Sequence, residues 1–456
     1  MQAVILAAGA GTRFRRTAAD CPKPLYRLHG VALVERAIRT ARLAGCREVL
    51  VVTGWEAEQV EGAVRAAGRP WVKTVRADAW ERGNGASLLA ARDHVRGPFL
   101  LLMADHVLDP QIARLAVRAA RERDPELAAG GALLVVDPHP ERVFDLAEAT
   151  KVRLHGGRIA AIGKDLDGYD AVDTGVFVGS PGLFAALERV AAAGGEVTLT
   201  AGAAVLAGEG RLGAVPLEAG WWIDVDDAEA LAEAERRLLE HATASGGDGP
   251  VARYLNRRLS RVITRWLAST SLRPDGVSLL AFGLALAGAA AFAGGAPAAG
   301  GLLCQLASVV DGCDGELARL RLEARPEGAF FDTVLDRYAD AAVVAGLAAG
   351  ALGLGHPAHL VWAVALVALA GLPLSALMKD RLQLLFPGDG GRYNPLRDDP
   401  PWLRWVPGNR DGRYLLVCLA GLAGQPLAAL AVLAAVSHVL ALGRLWHVLR
   451  SAPARL

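Results

Sequence analysis

Four aspartates lie close together in an otherwise apolar part of the sequence. Asp311 and Asp314 are three residues apart, and Asp332 and Asp336 are four residues apart. Each pair therefore falls on one face of its own helix, and two such faces can converge. Carboxylate oxygens are the ligands that Mg²⁺ prefers, and bound Mg²⁺ usually keeps open positions for substrate phosphates. Because charged side chains are costly in apolar surroundings, this spacing predicts a divalent-metal site for a pyrophosphate-bearing substrate.

Small residues and one arginine accompany the aspartates. A bulky ligand or a neighbouring helix can approach the backbone closely where side chains are small. The small residues are Gly312, Gly315, Ala318 and Gly328. Arg319 is predicted to face the negative charge of the substrate. The alternative, ordinary surface acids on a soluble helical hairpin, would suit a single D-x-x-D better than four acids beside apolar runs.

The segment Asp311–Asp336 resembles the signature of the CDP-alcohol phosphotransferases, D-x-x-D-G-x-x-A-R-(eight residues)-G-x-x-x-D-x-x-x-D, at every specified position. The resemblance implies an all-α transmembrane domain that uses Mg²⁺ or Mn²⁺. It further implies that Asp311, Asp314 and Asp332 hold the metals and that Gly315 and Arg319 contact the substrate. Asp336 is expected to belong to the metal site and to accept a proton from the acceptor alcohol as that alcohol attacks phosphorus.

The composition predicts a protein that is half embedded in a membrane. Hydrophobic residues make up 53% of the 456 residues and charged residues only 21%, and the mean hydropathy is +0.28. The length indicates two or more domains. A net charge of +1 gives no reason to expect a nucleic-acid partner. The five cysteines are widely spaced, without a C-x-x-C pair, which favours reduced thiols over a disulfide framework or a zinc site.

The amino-terminal half alternates between strand and helix patterns, which predicts a parallel sheet with helices on both faces. The predicted strands are Ala3–Ala7, Glu48–Thr53 and Phe99–Met103, and the predicted helices are Val31–Leu43 and Ala57–Ala67. Ligands of such sheets bind beyond the carboxyl ends of the strands. Since the first strand begins directly, without the basic segment of a signal peptide, this half is expected to stay in the cytoplasm.

A glycine-rich loop follows the first predicted strand. Its backbone N–H groups at Gly9, Gly11 and Thr12 can cradle phosphates, and Arg13 can add positive charge. The turn P-K-P-L brings Lys23 back toward the same place. A glycine-rich loop alone is weak evidence for a nucleotide site, so the surrounding residues decide the interpretation.

The run L-A-A-G-A-G-T-R-F followed by P-K-P-L resembles the nucleotidyltransferases that join a nucleoside triphosphate to a sugar phosphate or phospho-alcohol. The resemblance covers residues 1–240 and implies a Rossmann-like domain. It implies that Asp105 and Asp226 bind metal, that the loop containing Asn84 reads the pyrimidine, and that Lys164 and Asp173 contact the phospho-sugar. Catalysis would come from positioning and charge neutralisation, chiefly by Arg13, Lys23, Lys164 and the metal.

Three alternatives remain open in this half. Lys23 could be a solvated turn residue, and Lys164 could belong to a surface charge pair. Asp224 could bind the metal in place of Asp226.

The carboxy-terminal half begins with a basic amphipathic segment and continues with apolar runs. A short linker is predicted at Gly246–Gly249, within a connecting segment 241–275. Arg253–Leu267 has the composition of a helix in the lipid headgroup layer, with a calmodulin-like target helix or an ordinary basic amphipathic surface helix as the alternative. Six spans are expected in the domain 276–456, at 277–297, 298–310 continued into the aspartate motif, 330–354, 360–378, 414–424 and 426–449. Arginines and lysines cluster so that both chain ends and the aspartates are predicted to face the cytoplasm.

The two resemblances together predict a two-step enzyme in which one domain makes a nucleotide-activated alcohol and the other consumes it. The arrangement resembles bifunctional enzymes that make CDP-inositol from CTP and inositol 1-phosphate. Such enzymes then transfer phosphoinositol to a second inositol 1-phosphate and release CMP. The resemblance also implies a homodimer through the membrane domain, embedded in the lipid bilayer of the cytoplasmic membrane.

Two other functions remain open. The first is a phospholipid synthase with a CDP-diacylglycerol donor, and the second is a transporter or scaffold with inactive catalytic folds. The interfacial turn also departs from the pattern of many phosphotransferases, because Arg273-Pro274-Asp275 stands where those proteins carry T-P-N.

Overall fold

The computed structural model describes residues 1–14, 21–244, 255–385 and 398–451. The chain divides into two units, Met1–Arg237 and Leu238–Leu456. The predicted linker Gly246–Gly249 lies outside the described residues, as do the first two residues of the predicted amphipathic helix and positions 386–397 of a predicted basic segment.

The first unit is built on a nine-stranded sheet with the strand order β5-β4-β1-β6-β11-β8-β12-β10-β9. Two further two-stranded sheets pair β2 with β3 and β7 with β13. The strands are β1 Gln2–Ala7, β2 Arg27–Leu28, β3 Val31–Ala32, β4 Glu48–Thr53, β5 Val72–Arg76, β6 Phe99–Met103, β7 His106–Leu108, β8 Ala132–Asp137, β9 Lys151–His155, β10 Arg158–Gly163, β11 Ala171–Gly179, β12 Leu212–Pro216 and β13 Trp222–Asp224.

Helices cover both faces of this sheet. They are α1 Leu33–Leu43, α2 Ala57–Ala66, α3 Asn84–Leu89, α4 Pro110–Glu122, α5 Asp124–Ala128, α6 Pro181–Ala192 and α7 Leu199–Gly208. Helix α8, Ala228–Thr243, begins in the first unit, and its residues from Leu238 onward belong to the second. Successive side chains of a strand point to opposite faces, so Leu100 and Leu102 join the apolar core on one side while Leu101 joins the core on the other. Central strands buried on both faces need continuous apolar runs, which β1 and β6 supply.

The predicted strands are confirmed as β1, β4 and β6, but the expectation of a wholly parallel sheet is wrong. Strands β5, β4, β1 and β6 are parallel neighbours, whereas β11 is antiparallel to both β6 and β8. The chain between β8 and β11 forms the antiparallel pair β9–β10 around Gly156 and Gly157 instead of a crossover helix. Without that helix, no right-handed crossover sets β11 parallel to β8.

The second unit contains helices and no strand among its described residues. Its helices are α9 Arg257–Ala268, α10 Pro274–Ala293, α11 Pro297–Leu320, α12 Pro326–Gly353, α13 Ala358–Leu385, α14 Arg410–Leu422 and α15 Pro426–Ser451. Proline is the first residue of four of them, α10, α11, α12 and α15, at a position where the missing N–H costs no helical hydrogen bond. Glycines let helices approach closely: a Cβ added to Gly288 would lie 2.8 Å from Cys304 Sγ, and one added to Gly301 would lie 2.9 Å from Cys418.

Helices α10 to α15 occupy the positions of the six predicted spans. Within the described part of the chain, three helical segments are long and apolar enough to cross a membrane by length and composition, Pro274–Ala293, Ala358–Leu382 and Pro426–Arg450. Helices α11 and α12 fall short because they carry the aspartates and their flanking charges, and α14 has only 13 residues. Three spans are thus supported by composition, and the other three stay a prediction.

Candidate functional sites

Lys23 lies at the centre of the first acidic cluster, at the carboxyl edge of the sheet. Its side chain is 6% exposed, and Nζ donates to Asp105 Oδ2 at 2.9 Å and to Asp226 Oδ1 at 2.7 Å. Asp224 Oδ1 lies 3.7 Å from the same nitrogen. Lys23 begins the short 3-10 turn that Pro22 precedes, and Asp105 follows β6. Asp224 is the last residue of β13, and Asp226 follows that strand. The alternative that Lys23 is a solvated turn residue is therefore wrong.

The opposite charges in this cluster favour the charged forms of Lys23 and Asp105. Burial alone would lower the pKa of Lys23, but Asp105, Asp224 and Asp226 outweigh burial and raise it above its ordinary value. Burial alone would raise the pKa of Asp105, but Lys23 and His106 hold it well below its usual range. An ammonium group thus sits among carboxylate oxygens of the kind that bind Mg²⁺.

The donor set of this cluster fits a divalent cation. Asp105, His106 and Asp224 each offer one atom within 4.8 Å of the others. Among the described residues, the buried Oδ1 of Asp224 has no hydrogen-bond partner, whereas Asp226 is shared by Lys23 and Arg13. Both Asp224 and Asp226 therefore remain candidates for the second metal-binding carboxylate.

His106 is a member of this cluster that sequence reasoning missed, although it follows Asp105 directly. Its Nδ1 lies 3.1 Å from Asp105 Oδ1 and 3.8 Å from Asp224 Oδ1, and its ring stacks on Trp222. Burial alone would lower the pKa of His106, but the two aspartates raise it to about 9. Gly175, at φ +74°, makes room for the ring, because an added Cβ would lie 2.5 Å from His106 Nε2.

The glycine-rich loop lines a cavity of about 230 Å³ above the cluster. Its walls include Gly9, Gly11, Thr12, Arg13, Lys23, Asp105 and Asp226. Gly11 has φ +56°, and a Cβ there would lie 3.0 Å from Lys23 Cβ, so glycine allows both the turn and the lysine. Space is open above Gly9, where no described atom lies within 4 Å of an added Cβ.

A larger cavity of about 660 Å³ is lined by the remaining predicted residues of this half, Arg13, Asn84, Lys164 and Asp173. Asn84 Oδ1 accepts a hydrogen bond from Leu199 N at 2.7 Å. Burial raises the pKa of Asp173 to about 6, and its Oδ1 accepts from Gly175 N.

Glu148 holds two cations at the wall of this cavity. Lys164 Nζ lies 3.2 Å and Arg13 Nη1 3.4 Å from Glu148 Oε2. The side chain of Lys164 is 55% exposed, and its ion pair with Glu148 is the surface charge pair that the sequence left open as an alternative. The same side chain also borders the cavity.

The second acidic cluster lies between α11 and α12, as the helical spacing predicts. Asp311, Asp332 and Asp336 each offer one oxygen within 4.8 Å of the others. Asp314 lies beside them, within hydrogen-bonding reach of Asp332, and accepts from Ser278 Oγ at 2.5 Å. Carboxylate oxygens from two helices converge here, and this donor set also fits a hard divalent cation.

Arg410, at the start of α14, closes the second cluster. Its Nη1 donates to Asp311 Oδ1 at 2.6 Å and to Asp336, and its guanidinium lies 4.9 Å from the ring centre of Tyr414. Arg337 adds further positive charge, since its Nη2 lies 3.8 Å from Asp336 Oδ2. Sequence reasoning missed Arg410 because it stands 74 residues after Asp336 and belongs to no recognised motif.

Arg319 and Gly315 lie on the next turn of α11. Arg319 Nε donates to the carbonyl oxygen of Ala242 at 2.8 Å, and its guanidinium covers Gly315, where an added Cβ would lie 3.2 Å from Arg319 Nη1. The N–H of Gly315 donates to Asp314. Their predicted contact with substrate stays a prediction.

Two family models match the chain, one in each unit. The MobA-like NTP transferase domain matches residues 3–133, and the CDP-alcohol phosphatidyltransferase family matches residues 271–381. The second match includes all four aspartates of the second cluster. Arg410 lies beyond its end.

Several curated proteins are similar over most of both chains. The bifunctional IPC transferase and DIPP synthase of Rubrobacter xylanophilus is 42% identical and covers 97% of this chain and 95% of its own. Proteins of the same name from Archaeoglobus fulgidus and Thermococcus kodakarensis are each 33% identical over 92% of this chain, covering 78% and 89% of their own lengths.

Among solved structures, the inositol-1-phosphate CTP transferase of T. maritima aligns with 52% of this chain and 95% of that chain, at 24% identity and a TM-score of 0.45, a likeness too low to support a conclusion. The similarity to the curated relatives covers most of both units. The chain belongs to the family of bifunctional IPC transferases and DIPP synthases.

Proposed function

We propose that this protein makes CDP-inositol from CTP and inositol 1-phosphate in its first unit. Its second unit then transfers the phosphoinositol group to a second inositol 1-phosphate and releases CMP. The observation that carries this proposal is the pair of acidic clusters, one in each unit, in a chain that is 42% identical to a bifunctional relative over 97% of its length. Each cluster lies in the unit whose family model matches that half-reaction.

In the first unit, a phosphate oxygen of inositol 1-phosphate attacks the α-phosphorus of CTP. A new P–O bond forms, the bond from the α-phosphorus to the bridging oxygen breaks, and pyrophosphate leaves. Lys23 and Arg13 neutralise charge on the triphosphate, and the N–H groups of Gly9 and Gly11 hold its phosphates. Mg²⁺ held by Asp105 and by Asp226 or Asp224 would neutralise further phosphate charge.

Lys23 must move for this to happen. In the present arrangement its ammonium group is paired with Asp105 and Asp226, the carboxylates proposed to hold the cation. A divalent cation on those oxygens would repel the ammonium toward the cavity of about 230 Å³ where the phosphates are expected. Lys23 is therefore expected to bind the phosphates once a divalent cation lies on these carboxylates.

In the second unit, a hydroxyl of the acceptor inositol 1-phosphate attacks the phosphorus bonded to inositol in CDP-inositol. The bond from that phosphorus to the oxygen of CMP breaks, and CMP leaves with the electron pair. Asp336 accepts the hydroxyl proton, which requires that Arg410 first release this carboxylate. Arg410 and Arg337 then supply positive charge beside the phosphorylated acceptor. Divalent metal on Asp311, Asp314 and Asp332 would stabilise the negative charge of the departing CMP.

The second unit is proposed to lie in the lipid bilayer of the cytoplasmic membrane, with six spans and both sites facing the cytoplasm. The three apolar helical segments support membrane insertion. Helix α9 supports an interfacial position, because its large apolar residues Val262 and Trp266 are 71% and 66% exposed beside exposed arginines. A homodimer through the membrane helices and a functional boundary near residue 240 belong to the same proposal.

The test is incubation of the full chain in lipid vesicles with CTP, Mg²⁺ and a panel of phosphorylated polyols, followed by mass analysis. We expect CDP-inositol and pyrophosphate first, then CMP and a water-soluble double phosphate of inositol, and we expect excess EDTA to stop both steps. The proposed substrate is wrong if inositol 1-phosphate is ignored while another polyol phosphate reacts. A chloroform-soluble product formed from added CDP-diacylglycerol would instead identify a phospholipid synthase.

A further inference from the structure

Glu316 is a fully buried carboxylate within the aspartate motif, and the reaction proposed above does not use it. Its side chain is 0% exposed. Oε1 accepts hydrogen bonds from Ser260 Oγ at 2.7 Å and from Arg257, and Oε2 accepts from Thr264 Oγ1 at 2.6 Å. All three donors lie on one face of α9. A buried carboxylate is expensive unless it is paired and hydrogen-bonded, and here both of its oxygens have partners.

Helix α9 packs on α11 through several polar groups as well as through apolar residues near its end. Asn256, just before the helix, donates to Ser308 Oγ at 3.3 Å and accepts from Gln305 Nε2 at 2.9 Å. These contacts continue the line of Ser260 and Thr264 on the buried face of α9. Leu259, Val262 and Trp266 of α9 point the other way and are exposed, whereas Leu267 near the end of the helix is buried. The attachment of α9 therefore depends strongly on hydrogen bonds, with the Glu316 carboxylate at their centre.

Glu316 holds α11 from the side opposite the metal-site acids. An α-helix turns about 100° per residue, so Glu316 projects about 200° away from Asp314 and about 140° away from Asp311. On the front of the helix, Asp314 is held by Ser278 of α10. Helix α11, which also packs on α10 and α14, is thus held by polar contacts at Glu316 behind and at Ser278 in front, and the two aspartates lie between these contacts.

We infer that Glu316 is a positioning residue of the second site. By fixing α11 to α9, it sets the distance of Asp311 and Asp314 from the acids of α12, and thereby the affinity of the site for divalent metal. Loss of a group that orients metal ligands typically weakens metal binding about 10- to 100-fold, because ligand oxygens must hold their places within fractions of an ångström. This inference rests on the transferase function proposed for the second unit.

The first experiment measures CMP release by the full chain in vesicles, with CDP-inositol and inositol 1-phosphate supplied and the Mg²⁺ concentration varied. For Glu316→Gln we expect the half-saturating Mg²⁺ concentration to rise about tenfold or more. Pyrophosphate release from CTP by the first unit should be unchanged. The matched control is Glu327→Gln, an exposed acid in the first turn of α12, for which no change is expected.

A second variant addresses the case in which Glu316→Gln does not fold. Thr264→Val removes one hydrogen bond to Glu316 but leaves Ser260 and Arg257 in place, so it should shift the Mg²⁺ requirement in the same direction by a smaller factor. Binding of Mn²⁺, followed by electron paramagnetic resonance in an Asp105→Asn background, should weaken in parallel without any need for turnover.

The outcomes separate this inference from the proposed function. A role in stability alone would lower the melting temperature of the Glu316 and Thr264 variants while leaving their Mg²⁺ requirement and Mn²⁺ binding unchanged, and that result would overturn the inference. If the unmodified protein released no CMP, the proposed transferase function would fail, and Mn²⁺ binding would still decide the role of Glu316.

Discussion

Each unit of the protein contains an acidic cluster that is paired with one largely buried cationic side chain. The two clusters differ in how far apart their members lie in the sequence. In the first unit, Lys23 pairs with aspartates that stand 82 and 203 residues away along the chain. In the second unit, the aspartates occupy adjoining helices within one motif, and the cation, Arg410, comes from far along the chain. The carboxyl edge of a parallel sheet brings together residues that are distant in the sequence. On a pair of adjacent helices, residues three or four apart already share a face, so local spacing is enough to bring the aspartates together.

The difference in cation matters chemically. A lysine ammonium is a compact charge on a flexible stem, so Lys23 can move from the carboxylates to a phosphate. The guanidinium of Arg410 is planar, touches two carboxylates and packs on Tyr414, so its position is more restricted. We therefore expect Lys23 to act mainly on catalysis and Arg410 to act strongly on the metal requirement.

The largest effect is expected from Asp336→Asn, which removes both a proton acceptor and a metal-site oxygen. CMP release from supplied CDP-inositol and inositol 1-phosphate should fall about 10³-fold or more. Pyrophosphate release from CTP should continue at the unmodified rate and serves as the internal control. CMP release at the unmodified rate would refute the assignment of Asp336 as base.

Lys23→Met is expected to show the reverse pattern. Pyrophosphate release should fall about 10²- to 10³-fold, because one positioned cation is lost from the triphosphate. CMP release from supplied CDP-inositol should be unaffected. Lys23→Arg should restore little activity, since a planar guanidinium cannot reproduce the compact contacts that the buried ammonium group makes with Asp105 and Asp226. Strong recovery by arginine would contradict the proposed movement of a compact ammonium group.

Arg410→Met tests whether the cation of the second cluster competes with metal. Removing positive charge between Asp311 and Asp336 should strengthen their attraction for Mg²⁺ and lower its half-saturating concentration. The maximal rate of CMP release should nevertheless fall about tenfold or more, because a charge beside the acceptor phosphate is lost. A titration of CMP release against Mg²⁺ separates the two effects, and an increased Mg²⁺ requirement would contradict the competition.

Much of the fold could be predicted because it follows from local patterns. Continuous apolar runs identified β1, β4 and β6, and apolar segments located the helices α10 to α15 of the second unit. The antiparallel placement of β11 could not be predicted in the same way. It depends on whether the chain before Ala171 forms a hairpin or a crossover helix, and the strand pattern of β11 itself is the same in either case.

The site residues could likewise be predicted only where local sequence spacing brings them together. Helical spacing predicted the convergence of Asp311, Asp332 and Asp336. Arg410 was missed because only tertiary packing brings it to them. His106 was missed although it adjoins Asp105, since a histidine beside an aspartate is common and the stacking on Trp222 is visible only in the folded sheet.

The smallest effect on activity is expected from substitution of Lys164. The sequence allows two roles for this residue, a contact with the substrate phosphate or a surface charge pair. An exposed ion pair contributes only about 0–1 kcal/mol to stability, so loss of the Glu148 contact should leave the melting temperature nearly unchanged. If Lys164 also binds the substrate phosphate, Lys164→Met should raise KM for inositol 1-phosphate up to about tenfold with kcat little changed. Glu148→Gln is the matched variant: it frees Lys164 and Arg13 from a competing acceptor, so KM should stay the same or fall. Equal increases of KM in both variants would mean that the ion pair itself shapes the cavity wall, and the direct substrate contact would then be rejected.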